Sequence, residues 1–192
     1  MLLGAAGGAV AVLAVGAAVL ALTGGSSPSG EGAEPAREPV SWAGAATAQA
    51  PSTSPDSRDA AGRPTSYAAD QMLDADPATA WRTNGDATGE VLTFVLDTTR
   101  PVSRLGLVNG YAKTDPATGV DRYAQGRRIT RVTWLVDGRE VPQELVDGVR
   151  ELQVVDVGPV VVGQVQLRID ATTGPGDAAF DRTAISEVTI AG

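Results

Sequence analysis

Short runs of apolar residues repeating at every second position fill the C-terminal two thirds of this chain, and they restrict it to β-structure. Leu92, Phe94 and Leu96 fall on one face of their run; Val165, Leu167 and Ile169 do the same, as do Val132, Trp134 and Val136 just ahead of Asp137-Gly138. That is the period of a half-buried strand, whose successive side chains leave opposite faces. An Asp-Gly pair between apolar runs is a strong hairpin signal, because both turn residues can take positive φ. Asp147-Gly148 repeats it. Further strands are expected near Val102–Asn109, Glu151–Val157 and Ala184–Ile190, and no stretch here carries helical periodicity beyond one or two turns. Several short strands between turn signals predict an all-β, jelly-roll β-sandwich. It is expected to cover residues 57–192, long enough for one core.

The N-terminal part follows different rules. Leu2 to Leu22 carries no charge, and as a helix rising ~1.5 Å per residue that length spans a hydrocarbon core. A cleavable signal peptide has a shorter apolar core preceded by basic residues. Residues 1–23 are therefore predicted to be an uncleaved transmembrane helix, making a single-pass membrane protein with the β-domain outside the cytoplasm. No Lys or Arg precedes the span, so charge does not set its orientation. Residues 24–56 are rich in Pro, Gly, Ser and Ala, and Pro28, Pro35, Pro39, Pro51 and Pro55 break any helix. They predict a disordered linker, with Trp42 either a stray aromatic within it or a transient docking contact.

Composition excludes several chemistries. The net charge is −8 and Lys113 is the single lysine, which argues against nucleic acid as a partner. The chain contains neither Cys nor His. Disulfides, thiolate metal sites and thiol nucleophiles are thereby removed, together with the commonest general base.

Two groups of loop residues remain as candidates. Asp74, Asp76 and Thr79 crowd one short loop and Glu187 lies in the last strand; all four are the hard oxygen donors that Ca²⁺ takes. Without a metal, Asp74 would cap a turn, Thr79 would bond to backbone, and Glu187 would pair with an arginine such as Arg82. The second group begins with Asn109, Gly110 and Tyr111, where a strand ends. An amide beside an aromatic ring suits a sugar, since hydroxyls take hydrogen bonds and the C–H face stacks on the ring. Lys113 follows in a long loop, and Tyr123, Arg127 and Arg128 return after it. Tyr123 would otherwise be a core residue and the arginines a solvated strand face. Arg122, Arg127, Arg128 and Arg131 form a local basic cluster suited to an anionic polymer, although period-two alternation splits it between two faces.

The combination Leu73-Asp74-Ala-Asp76-Pro-Ala-Thr79-Ala-Trp81 with Ser186-Glu187-Val188 resembles the discoidin (coagulation factor V/VIII type C, galactose-binding-like) superfamily. Asn109-Gly110-Tyr111 followed by Tyr123 and Arg127-Arg128 is similar to its bacterial NADase-type glycan-binding branch. The resemblance implies a jelly-roll sandwich with a structural Ca²⁺ beneath the binding loops. The ligands it implies are side-chain oxygens of Asp74 and Glu187, oxygens of Asp76 and Thr79, and the carbonyls of Gln71 and Ser186. For the ligand it implies Asn109, Tyr111, Lys113, Tyr123, Arg127 and Arg128. The branch usually has Asn shortly before the Arg pair, whereas Gln125-Gly126 stands here. The branch is one of recognition and targeting, so glycohydrolase activity is not carried over. A glycosidase would need two carboxylates across a cleft, one with a raised pKa, and Asp115 and Asp121 are the only pair worth checking. The expected function is a membrane-anchored, extracytoplasmic, non-catalytic module for a glycan or cell-envelope polymer. The alternative is an extracellular protein-interaction or sensor domain.

Overall fold

The computed structural model describes residues 39–192 apart from Ala60. The transmembrane helix expected over 1–23, and the linker as far as residue 38, lie outside the described residues. Among the described residues no helix is long and apolar enough to cross a membrane.

Among the described residues nine strands are formed: β1 (Ala46–Gln49), β2 (Ser57–Arg58), β3 (Pro64–Thr65), β4 (Trp81–Asn84), β5 (Val91–Asn109), β6 (Ile129–Val136), β7 (Arg139–Glu144), β8 (Gln153–Thr172) and β9 (Arg182–Ala191). Seven of them make one antiparallel network in the order β4-β9-β5-β8-β6-β7, with β1 added on β5, while β2 and β3 form a separate hairpin. The only α-helix among the described residues is a single turn, α1 (Arg122–Gln125), whose N-cap Asp121 accepts the Tyr123 and Ala124 N–H groups.

The network folds over on itself because β5 and β8 are long and bent. The first half of β5 pairs with β1 and with the second half of β8, which also pairs with β6. The second half of β5 pairs with the first half of β8 and with β9. Register shifts between Val95 and Arg100 and between Val102 and Arg104 mark the bend in β5. Irregularities of this kind let one strand pass from layer to layer of a sandwich. Runs expected as separate strands, such as Val102–Asn109 after Val91–Leu96, are therefore halves of one bent strand.

The alternating residues point inward as predicted. Leu92, Phe94, Val132, Trp134, Val165, Leu167 and Ile169 are fully buried between the layers. Asp137 and Gly138 take φ of 50° and 69° in the β6–β7 turn, the double positive φ of a type I′ hairpin.

The expected linker is corrected at its C-terminal end. Ala46–Gln49 form β1, paired in register with Thr93–Leu96 of β5. Trp42 is no stray residue: its N–H donates to Ile190 O at 2.7 Å, its Nε1 to Pro101 O at 2.7 Å, and Arg100 lies 4.8 Å over its ring. The alternation of Ala46-Thr-Ala-Gln49 is too weakly apolar to show as a strand in sequence. An unpaired edge of β5 supplies the hydrogen bonds that order it.

Candidate functional site

Two loop systems at one end of the sandwich carry the candidate chemistry, and Tyr111 links them. The first is the Asp-rich loop between a short 3₁₀ turn, Ala69–Met72, and β4. Met72 and Trp81 anchor its two ends in the core, with Trp81 Nε1 donating to Ser52 O at 2.9 Å. Within it, Asp74 Oδ1 accepts the Asp76 N–H and Asp76 Oδ1 accepts the Ala78 N–H, each at 2.9 Å. The Thr79 hydroxyl lies 2.8 and 3.0 Å from the two Asp74 carboxylate oxygens, 2.8 Å from Asp76 O and 3.4 Å from Gln71 O. One hydroxyl proton serves one of these acceptors at a time, so the loop holds a surplus of oxygen lone pairs. Ser186, fully buried in β9, donates to Pro77 O at 3.0 Å and accepts the Ala112 N–H at 2.9 Å. It thus ties the loop to the segment after Tyr111.

Glu187 sits against this loop and does not pair with Arg82. Its Oε1 is buried without a hydrogen-bond partner. Burial pushes the Glu187 acid up to about 7, Asp74 and Asp76 add in the same direction, and the Ala75 and Asp76 amides oppose them. Among the described residues no group of three or more acidic side chains is arranged to hold a metal ion by itself. A mixed shell of carboxylate and main-chain oxygens is nevertheless what Ca²⁺ accepts. Gln71, Asp74, Asp76, Thr79, Ser186 and Glu187 supply such donors, and the orphaned Oε1 fits a cation.

The second system is a cleft in two adjoining lobes of ≈ 250 and ≈ 310 Å³ that share Asp59, Thr65, Tyr111 and Lys113. The β2–β3 hairpin forms one wall. Tyr67, Arg82 and Phe180 line the first lobe, and Gln71, Ala78 and Thr79 of the Asp-rich loop line the second. Gly110, at φ 101°, turns the chain out of β5 toward Tyr111, where a Cβ would meet the Tyr123 ring at 3.0 Å. Tyr111 packs edge-on to Tyr67 with centroids 6.4 Å apart, and Lys113 Nζ lies 5.9 Å from its ring. Burial raises the Tyr111 phenol to about 12, so it remains a neutral hydrogen-bonding group. The Arg82 guanidinium lies 3.4 Å over Tyr67, and Phe180 has Arg82, Arg122 and Arg182 at 5.6–5.8 Å.

Of the six residues expected to hold a ligand, only Tyr111 and Lys113 line this cleft. Asn109 is fully buried, with Nδ2 donating to Ile129 O at 2.8 Å. Tyr123 is buried, and its hydroxyl lies 3.1 Å from Asn109 Oδ1 while accepting the Gly148 N–H at 3.1 Å. Arg127 is held by Asp181 at 2.5 Å, by Thr173 O at 3.0 Å and by Asp86 at 3.6 Å. Arg128 binds Asp147 at 2.9 Å and Gly126 O at 2.7 Å. Carboxylates far off in sequence neutralise both arginines, so neither forms the expected basic patch.

Neither Asp115 nor Asp121 has the raised pKa that a glycosidase acid requires. Burial raises Asp115, but the Ala117 N–H, Arg122 and the Thr118 N–H together hold it below its usual value. The hydrogen bond from Arg150 is the main cause lowering Asp121. Sequence reading assigned no ligand-binding role to Arg58, Asp59, Tyr67 or Phe180, and it named Arg82 only as a partner for Glu187. Phe180 carried a usable signal, as one of two phenylalanines and set in the Gly174–Asp181 loop, since loop aromatics favour ligands.

A family model described as "NAD glycohydrolase translocation F5/8 type C domain" matches residues 43–191. No curated protein matches the chain. Among solved structures, CpGH89CBM32-5 from Clostridium perfringens, in complex with GalNAc-β-1,3-galactose, superposes with a TM-score of 0.58 at 16% identity, covering 79% of this chain and 99% of that one. The family 32 CBM from C. perfringens NanJ, in complex with galactose, gives 0.53 at 17%, covering 81% and 100%. The CBM32-1 and CBM32-2 domains of C. perfringens ZmpB, in complex with GalNAc, give 0.53 at 12%, covering 80% and 35%. At these identities the likeness establishes the fold, a β-sandwich similar to CBM32 galactose-binding-like domains.

Proposed function

Because the chain belongs to the NAD glycohydrolase translocation F5/8 type C domain family, we propose that it is a non-catalytic module that recognises a glycan or cell-envelope polymer. The observation that carries this reading is the two-lobed cleft, where aromatic rings and hydrogen-bonding side chains converge at the loop end of the sandwich. Such a mixture suits a sugar, which presents hydroxyls at its edge and C–H groups on its faces. Solved domains of this fold in complex with galactose and GalNAc support the same reading. The lining carboxylates Asp59 and Asp115 are both held below their usual values, and an acid that must protonate a glycosidic oxygen needs the opposite shift.

A structural Ca²⁺ belongs to this proposal. Gln71, Asp74, Asp76, Thr79, Ser186 and Glu187 would hold it, neutralising the carboxylates and stiffening the wall that Gln71 and Thr79 give to the cleft. The uncharged run from Leu2 to Leu22 supports a single-pass tether displaying the module outside the cytoplasm.

The full chain, screened on a glycan and cell-wall-polymer array with and without calcium, tests the reading beside a Tyr111→Ala/Lys113→Ala variant. Binding that the variant loses supports it, and binding that the variant keeps places the ligand elsewhere. The second reading, a protein-interaction or sensor surface, is favoured by the exposed Val146, Leu152 and Val154. It takes precedence if no polymer on the array binds.

A further inference from the structure

The cleft is cationic in a protein of net charge −8. Arg58, Arg82, Lys113 and Arg122 line its first lobe with only Asp59 and Asp115 as lining acids. Both acids are already engaged. Asp59 pairs with Arg63 at 2.7 Å, and Asp115 pairs with Arg122 at 3.2 Å while accepting the Ala117 and Thr118 N–H groups. Among the described residues neither Arg82 nor Lys113 makes a salt bridge; Arg82 Nε is buried without a partner, and the side-chain hydrogen bond of its guanidinium is to Tyr67, a neutral phenol. The Arg82 guanidinium is also packed over the Tyr67 ring, 3.4 Å from its centroid, with the Phe180 ring at 5.6 Å. A half-buried guanidinium held at a sugar-sized cleft thus has no carboxylate partner among the described residues. Its planar fork matches a planar carboxylate.

We propose that the cleft takes a carboxylate-bearing sugar, a uronic or sialic acid residue, with Arg82 receiving the carboxylate and Lys113 as the second cation. This assignment rests on the glycan-binding reading and narrows it. The sugar ring would occupy the space bounded by Tyr111 and Phe180, and Arg82 would discriminate an acidic sugar from its neutral parent.

Galactose and galacturonate differ only at C6, so titration calorimetry of the full chain with each isolates the carboxylate. N-acetylneuraminate and galactose 6-phosphate complete the set. Galacturonate or N-acetylneuraminate should bind at least tenfold more tightly than galactose, and the tighter of the two distinguishes uronic from sialic acid. The preference should shrink in high salt and vanish in Arg82→Gln. Lys113→Gln, at a half-exposed position that does not touch the core, should weaken it severalfold and decides the matter if Arg82→Gln unfolds. Equal or tighter binding of galactose overturns the acidic specificity and leaves the glycan reading standing. Preference for galactose 6-phosphate over both carboxylates overturns it in favour of a phosphate. Binding of none of the four overturns the assignment, and the polymer array then decides the glycan reading separately.

Discussion

The hydroxyl of Tyr123 meets the side-chain carbonyl of Asn109 at 3.1 Å inside the sandwich, so these two buried side chains are engaged with each other within the fold. Asn109 also donates to Ile129 O and, with Gln153 Nε2 at 3.3 Å from its Oδ1, sits at the hub of a buried polar network. Asn109→Ala strands these partners, and a buried polar group left unsatisfied costs ~1–3 kcal/mol. The expected outcome is an unfolding free energy lower by that amount in denaturant melts, with the ligand profile unchanged. A variant of wild-type stability that had lost its ligand would return Asn109 to the binding site.

Arg127 behaves in the same way. Its bonds to Asp181 and Thr173 O fasten the Gly174–Asp181 loop to the sandwich. Arg127→Gln should reduce stability by about 1–2 kcal/mol, the range for hydrogen bonds to charged groups after screening. Affinity for a sugar should fall only as far as Phe180, carried on that loop, is displaced. A loss of more than tenfold without destabilisation would contradict this placement.

Glu187 sets a pH dependence whose sign distinguishes metal from no metal. Its acid stands near 7 in the folded chain against 4.5 ordinarily, so the folded state keeps a proton that the unfolded chain has already released. Without calcium, stability should fall as pH rises from about 4.5 to about 7 and level off above. The group is half-buried, and after solvent screening the loss is about 1–2 kcal/mol. Calcium, by holding the carboxylate ionised, should flatten the slope, and Glu187→Gln should remove it. Denaturant melts at several pH values, with calcium and with chelator, check this. A calcium-independent profile would remove the metal from the loop.

Trp42 marks where the folded region begins. Trp42→Ala removes the donor to Pro101 O, the stack under Arg100 and the apolar contact with the core. A loss of about 2–4 kcal/mol is expected for removing a large, partly buried aromatic. A chain starting at residue 57 should be less stable still, because it also lacks β1 and exposes the edge of β5. Thermal melts of the two variants test this, and a wild-type melt for either would restore residues 39–56 to a linker.

Sequence alone determined the local features: the inward faces of β5, β6 and β8, the positive-φ turn at Asp137-Gly138, and the surplus of oxygen donors between Leu73 and Trp81. Each depends on neighbours within a few positions, through period-two alternation, turn stereochemistry or loop composition. The tertiary structure decided which loops make the cleft. Tyr67, Arg82, Tyr111 and Phe180 come together only because β4 pairs with β9 and Gly110 turns the chain out of β5. It also decided which cations are neutralised. Arg127 and Arg128 look free in sequence, but Asp181 and Asp147 reach them across 54 and 19 positions. Arg82, unremarkable in sequence, has no carboxylate partner among the described residues. A charge is spent or available according to its neighbours in space, and in a β-sandwich those neighbours come from strands far apart along the chain.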